Sequence, residues 1–192
     1  MSQEGKTPSL LRDVIRSCRR RGKGRKIADS TGVELSGERA LISALVLRRL
    51  LRRVLGEDEK HVGVLLPPTA GAALTQMALA FDGRVAVGVN YTLTPEIINP
   101  CLARAEVRHV ITSRRFLERV PPALDTEFIY LEDRRAQAGG FDKLQSALLA
   151  KTLPPELLLR AIGRTPPTSD EPFMVVFTSG TTGEPKGAVL TY

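Results

Sequence analysis

HVGVLLPPTAGAALTQMALAFDGRVAVGV, His61 to Val89, holds two apolar runs too short for helices on either side of one helical stretch. HVGVLLP is continuously apolar and is closed by Pro67 and Pro68, the pattern of a strand buried on both faces. AGAALTQMALAF follows as a helix, and VAVGV as a second buried strand. A helix joining two buried strands is the βαβ unit of a parallel sheet, and it sets the reading of what lies on both sides.

Downstream the alternation continues. A helix starts near Pro95, with Pro100 inside it predicted to kink or split it. HVITS reads as a strand, RRFLER as a short helix and EFIYLED as a strand. FDKLQSALLAKTL and PELLLRAIG read as two short helices, and the proline-rich connector RTPPTSDEP leads to the strand FMVVF. Upstream, Thr7 and Pro8 start a helix whose apolar stripe is Leu10, Leu11, Val14, Ile15 and Cys18. IADSTGVELS alternates around Ser30-Thr31-Gly32 as a hairpin, and Ser36 caps a helix over about Glu38 to Leu55. The expected fold class is therefore α/β, a mostly parallel sheet with flanking helices. Within one partial domain over 1–192, residues 1–56 form the opening helix and hairpin, 57–163 the βα repeats, 164–172 a linker, and 173–192 a strand, a loop and the next strand.

With 42% hydrophobic residues in 192, the chain is long enough for a real core. Its 28 Lys and Arg against 21 Asp and Glu leave +7, which favours anionic partners such as nucleotide phosphates, nucleic acid or an acidic membrane. Met1 to Pro8 is polar, with no leader core, and the two cysteines, Cys18 and Cys101, have no metal-ligand spacing. The expectation is a reduced, cytoplasmic protein. The longest apolar run, Ile42 to Leu51, is broken by Arg48 and Arg49 and is too short for a membrane span.

Chemistry concentrates in TSGTTGEPKG, directly after FMVVF. Gly180, Gly183 and Gly187 let backbone N–H groups approach a ligand closely, while Thr178, Ser179, Thr181 and Thr182 add hydroxyl donors. Lys186 adds a cation behind the restricted Pro185. Together they suit a polyphosphate. The spacing is not that of the P-loop NTPases: two residues separate Gly180 from Gly183, and Gly187 rather than Ser or Thr follows Lys186. A plain Ser/Gly/Thr turn is the bland alternative, disfavoured by ten ordered positions after a buried strand.

FTSGTTGEPKG resembles the phosphate-binding motif of the adenylate-forming superfamily of acyl-CoA synthetases, peptide adenylation domains and luciferases. DSTGVELS, the βαβ stretch above and RHVITS are similar to that family as well, so the likeness covers nearly the whole chain. NYTLTP (Asn90 to Pro95), TSRRFL (Thr112 to Leu117) and YLED (Tyr130 to Asp133) look like the ligase part of acyl-(acyl-carrier-protein) synthetase/2-acylglycerophosphoethanolamine acyltransferases. The ligase-like sequence begins almost at Met1, so the acyltransferase activity of that group is not expected.

The resemblance implies an ATP- and Mg2+-dependent ligase. A carboxylic acid, a fatty acid on the narrower likeness, becomes an acyl-adenylate and passes to coenzyme A or to the phosphopantetheine of acyl-carrier protein. It implies that Thr178, Ser179, Gly180, Thr181, Thr182, Gly183, Lys186 and Gly187 hold the ATP phosphates, with Lys186 neutralising charge during catalysis, and it leaves the metal ligands unknown. It further implies that the adenine pocket, the ribose-binding aspartate, the hinge and the mobile domain's lysine lie beyond Tyr192, so that this piece alone does not complete adenylation. An amino- or aryl-acid adenylating enzyme and an inactive or regulatory nucleotide-binding paralogue stand as alternatives.

Remaining candidates read as structural. The Arg16 to Lys26 cluster has no aromatic residue for base stacking, so no nucleic-acid partner is expected. It reads as a solvated helix end complementing the macrodipole. Arg48, Arg49, Arg52 and Arg53 read as the solvated face of an amphipathic helix. Either basic patch could bring the protein to an anionic membrane as a peripheral contact. His61 and His109 receive no role, Cys101 reads as a buried small residue, and Asp125, Glu132 and Asp133 read as turn charges.

Overall fold

The computed structural model describes residues 9–119, 123–178 and 185–192. Helix α1 (Leu10–Arg21) buries Leu11, Ile15 and Cys18 as its stripe predicts, whereas Leu10 stays exposed. Thr7 and Pro8, expected to start it, lie outside the described residues. Strands β1 (Arg25–Ala28) and β2 (Glu34–Ser36) form the antiparallel hairpin. Its turn is built by Asp29, whose Oδ1 accepts from Thr31 N at 2.9 Å and Thr31 Oγ1 at 2.6 Å, followed by Gly32 at φ 84°.

Helix α2 (Gly37–Leu51) starts where Ser36 Oγ accepts from Arg39 N at 3.2 Å, and it stops four residues before the expected Leu55. The alternating part then runs β3 (His61–Val64), α3 (Ala70–Asp82), β4 (Val85–Gly88), α4 (Pro95–Arg104), β5 (His109–Thr112), α5 (Arg114–Leu117) and β6 (Glu127–Tyr130). After it come α6 (Leu131–Ala136), α7 (Gly140–Thr152), α8 (Pro155–Ala161), β7 (Pro172–Thr178) and β8 (Lys186–Thr191). Among the described residues the second sheet has six strands, in the order β6-β5-β3-β4-β7-β8. Strands β3 to β7 are parallel and β8 returns antiparallel beside β7. The fold is α/β with a mostly parallel sheet and flanking helices.

Each strand divides its side chains between two cores, because successive residues face opposite sides of a sheet. Val62, Val64 and Ala86 pack with Leu51, Ala78 and Leu79 of α2 and α3 on one face. Leu65, Val87 and Val110 pack with Ile98 and Leu102 of α4 on the other. A third cluster joins α1, α2 and α3 to α7 and α8 through Ile15, Leu41, Phe81, Ala150 and Leu158.

Two local expectations are corrected. Helix α4 is not split: Pro100 lies inside one continuous element. Pro100 and Glu96 are exposed, so water can satisfy the Glu96 carbonyl that Pro100 cannot serve. Burying Ile98 and Leu102, at roughly 1.5–3 kcal/mol each, offsets a proline penalty of about 3 kcal/mol. In EFIYLED the strand ends at Tyr130, and Leu131 begins a helix whose acidic first turn, Glu132 and Asp133, suits a helix start.

Of the four arginines read as a solvated face, Arg52 and Arg53 are exposed, whereas Arg48 and Arg49 turn inward to carboxylates. Arg48 is buried, with Nε 3.1 Å from Asp82 Oδ1, and its guanidinium donates to the carbonyl of Phe81 at 3.2 Å. Asp82 also faces Arg84 at 2.7 Å and Arg52 at 3.7 Å. Arg84 in turn donates to the carbonyls of Gly56 and Glu59. Burial pulls the Arg48 guanidinium below its ordinary value, a shift that Asp82 opposes. Arg49 pairs with Asp142 of α7 at 3.1 Å, and Arg53 reaches the same carboxylate. These pairs form because α3 and α7 pack on the side of α2 that its sequence leaves polar.

Helices α1 and α2 approach so closely that a Cβ on Gly37 would lie 2.0 Å from the Cys18 carbonyl oxygen. The Gly37→Ala variant must push backbone against backbone, so we expect a loss of about 3 kcal/mol or more in urea unfolding. Gly140→Ala, where an added Cβ meets nothing within 4 Å, serves as the nearly neutral control. Asp29 reaches beyond its own turn, because its Oδ2 accepts from Ala70 N at 2.8 Å at the start of α3. The backbone N–H of Ala70 and the groups of Thr31 hold this carboxyl down from 3.8 to about 2. A depressed folded value contributes stability above the unfolded value and loses it as pH falls through the folded one. The unfolding midpoint of Asp29→Asn should therefore lie below the wild-type midpoint at pH 5, with the gap closing as pH falls from about 4 towards 2.

Candidate nucleotide-binding loop

Strand β7 pairs in parallel with β4, Val87 opposite Val175 and Gly88 opposite Val176. It therefore delivers Thr178 to the edge where β3, β4, β5 and β6 also end. In open α/β sheets ligands bind at this carboxyl edge. Strand β8 carries the chain back, with Thr178 opposite Lys186 and Phe177 opposite Gly187. Thr178 Oγ1 donates to the Lys186 carbonyl at 3.4 Å, closing the neck of the hairpin. Thr178, Lys186 and Gly187 are thus brought together, with Lys186 exposed. Ser179, Gly180, Thr181, Thr182 and Gly183 lie outside the described residues.

Gly187 has a packing reason as well as a place in the motif. A Cβ there would sit 3.3 Å from Cε1 of Phe177, whose ring joins the core beneath the loop. Beside Phe177 lies a cleft of about 10 Å³ lined by Gly88, Val89, Asn90 and Leu93, about the space of one water molecule. No group of three His, Cys, Asp or Glu among the described residues could hold a metal ion.

Three stretches separated in sequence meet along the same edge. Asn90 Oδ1 accepts from Thr92 N at 3.0 Å and Thr92 Oγ1 at 2.7 Å, shaping the turn into α4. The neighbouring Tyr91 packs edge-to-face on Phe116 with ring centroids 5.2 Å apart. The Arg114 guanidinium lies 4.1 Å from the centre of the Tyr130 ring and donates to Asp133 Oδ2 at 2.6 Å, while Glu132 accepts from Arg114 N at 3.1 Å. Glu132 and Asp133 are held by Arg114 rather than free in a turn.

His109, given no role from sequence, stands at the opposite edge. Its Nδ1 lies 2.9 Å from Oε2 of the fully buried Glu59, and its backbone N–H donates to Oε1 at 3.1 Å. Fifty positions separate the two, so no local spacing could have signalled the pair. Their place at the start of β5 gives them a part in fixing the strand. Cys18 and Cys101 are both buried free thiols, and burial pushes both up from 9.0. Neither is exposed as a nucleophile.

Comparison with known proteins agrees with this geometry. The chain is 30% identical over 138 residues to a 4-coumarate--CoA ligase-like protein of Oryza sativa subsp. japonica, covering 69% of this chain and 24% of that protein. It is 27% identical over 130 residues to the delta-poly-L-ornithine synthetase of Acinetobacter baumannii strain AB307-0294, covering 68% of this chain and 8% of the relative. The chain thus spans a quarter or less of the length of these curated relatives. The Klebsiella oxytoca NpsA N-terminal subdomain in complex with 3-hydroxybenzoyl-AMSN superposes over 100% of this chain and 43% of its own, with a TM-score of 0.71 at 14% identity. The family described as AMP-binding enzyme matches residues 17–192, nearly the whole chain, and this protein belongs to it.

Proposed function

We propose that this chain is the amino-terminal part of an ATP-dependent acid–thiol ligase that activates a carboxylic acid as its acyl-adenylate. The observation that carries the reading is the β7–β8 hairpin, which holds Thr178 and Lys186 at the carboxyl edge of the sheet within membership of the AMP-binding family. A substrate carboxylate oxygen attacks the α-phosphorus of ATP, the bond to the β-phosphate oxygen breaks, and pyrophosphate leaves. A thiol then attacks the acyl carbon and releases AMP.

Within this scheme Lys186 neutralises the charge that grows on the leaving phosphates, and the Thr178 hydroxyl donates to a phosphate oxygen. Both are compatible with the task, since Lys186 is exposed at the hairpin neck and Thr178 turns from its weak bond to the Lys186 carbonyl. Ser179, Gly180, Thr181, Thr182, Gly183 and Gly187 complete the grip through backbone and hydroxyl donors. Magnesium would come with the nucleotide as its phosphate complex.

The proposed acyl substrate is a fatty acid and the acceptor coenzyme A or acyl-carrier protein. The likeness of NYTLTP, TSRRFL and YLED to the acyl-carrier-protein synthetase group supports this, and these stretches meet at the carboxyl edge. A peripheral contact with an anionic membrane suits such a substrate, as does a cytoplasmic location. The printed names of the relatives, a coumarate–CoA ligase-like protein and a polyornithine synthetase, favour a second reading in which the acid is an aryl or amino acid. The proposed domain division keeps 1–56 as the opening segment, 57–163 as the βα repeats, 164–172 as linker and 173–192 as the strand-loop-strand unit.

The test is acid-dependent exchange of labelled pyrophosphate into ATP by the protein in its full reading frame, across fatty, aryl and amino acids. Exchange with one class is expected, and Lys186→Ala should lower it about 10²–10³-fold with folding intact. A folded protein that binds Mg-ATP yet exchanges with no acid would instead support the inactive paralogue.

A further inference from the structure

Helix α7 buries Asp142, Ser146 and Ala150 on its inner side. Its outer side carries Phe141, Leu144 and Leu148, one face at helical spacing, at 71%, 70% and 58% exposure. Isolated exposed leucines need no explanation, but three large apolar side chains in one row do. Lysines border the row: Lys143 is exposed beside it and Lys151 continues it by one turn. The Arg49 guanidinium stands 5.6 Å from the centre of the Phe141 ring.

The same surface runs into a cationic hollow. Lys151 Nζ lies 2.7 Å from Glu38 Oε1, and Glu38 belongs to the wall of an open concavity of about 460 Å³. Lys23, Arg25 and Arg39 face it against the two carboxylates of Glu34 and Glu38. Arg25 neutralises Glu34 at 2.7 Å and Lys151 neutralises Glu38, so Lys23 and Arg39 remain as excess positive charge. Arg20 and Arg21 are exposed at the adjoining end of α1.

We infer that the outer face of α7 and this hollow together dock on an anionic phospholipid bilayer, with Phe141, Leu144 and Leu148 entering the headgroup region and Lys23 and Arg39 receiving lipid phosphates. Charge decides the occupant. An apolar row bordered by lysines and continuous with a net positive concavity complements a surface that offers acyl chains beneath phosphate, and it would repel the same basic face of a second copy. The protein has no need to cross the bilayer for this: among the described residues no helix is long and apolar enough to do so. The inference deepens the peripheral membrane contact proposed above and rests on it; neither the loop nor the acid enters it, so vesicle binding and pyrophosphate exchange can fail separately.

The experiment is co-sedimentation of the protein in its full reading frame with vesicles of phosphatidylcholine alone or mixed with phosphatidylglycerol. Binding is expected to the mixed vesicles only and to weaken as salt is raised. The variants Leu144→Ser/Leu148→Ser and Lys23→Gln/Arg39→Gln should each weaken it at least about tenfold, leaving pyrophosphate exchange and circular dichroism unchanged. All these positions lie on the surface, so a lost fold cannot imitate the effect. No binding to either vesicle, or equal binding by wild type and both variants, overturns the inference. A dimer seen by light scattering that the double serine variant dissolves, without vesicle binding, also overturns it and assigns the row to a second copy.

Discussion

The carboxylate of Asp82 organises the interior. It sits at the end of α3, where the helix dipole disfavours negative charge, and its side chain is buried. Only cations can hold it there, and Arg48 of α2 and Arg84 at the start of β4 do so. Both arginines also donate to main-chain carbonyls: Arg48 to Phe81 and Ile162, Arg84 to Gly56 and Glu59. One carboxylate thereby ties α2, α3, the end of α8 and the approach to β3. Such a buried network adds little stability over an apolar core of equal shape, but removing one partner from it costs about 3–5 kcal/mol. Its effect is to fix the order in which helices lie over the sheet, and so the line along which the strands end.

That line is where the chemistry gathers. Parallel pairing of β4 with β7 sets the height at which Thr178 emerges, and antiparallel pairing of β7 with β8 sets where Lys186 stands opposite it. The hairpin is anchored from below by Phe177, which packs with the apolar side chains around α4. The hairpin needs no helix at its base, because two strands in register and a core ring hold its ends. The polar cluster of Arg114, Tyr130 and Asp133 then extends the same edge to the far side of the sheet.

How much of this was legible in sequence follows from the range of the forces involved. Strands β3 and β4 and helix α3 were readable because apolar runs and the prolines that close them act within a few residues, and the hydroxyl of Ser36 marked the start of α2 in the same way. Thr178, Lys186 and Gly187 could be named together because the motif is contiguous, although their meeting across a ladder was not visible. The burial of Arg48 and the Glu59–His109 contact depend on partners 34 and 50 positions away, and a local pattern carries no trace of them. Helix α6 escaped because six residues with four charges show no apolar period, and Pro100 misled because the buried neighbours that outweigh it act through tertiary packing.

The bond from Asp29 to the first amide of α3 also divides the binding edge electrically. A helix beginning at the end of a central parallel strand ordinarily offers bare N–H groups and half a positive charge to any anion nearby. Here the hairpin has placed its own carboxylate on that spot, ionised down to about pH 2, and the Thr69 hydroxyl accepts from the amide of Ala72. The corner above β3 thereby carries a fixed negative charge, while the β7–β8 corner carries the exposed cation of Lys186. A single side chain from outside the parallel sheet thus gives its edge a polarity, with a negative end and a positive one.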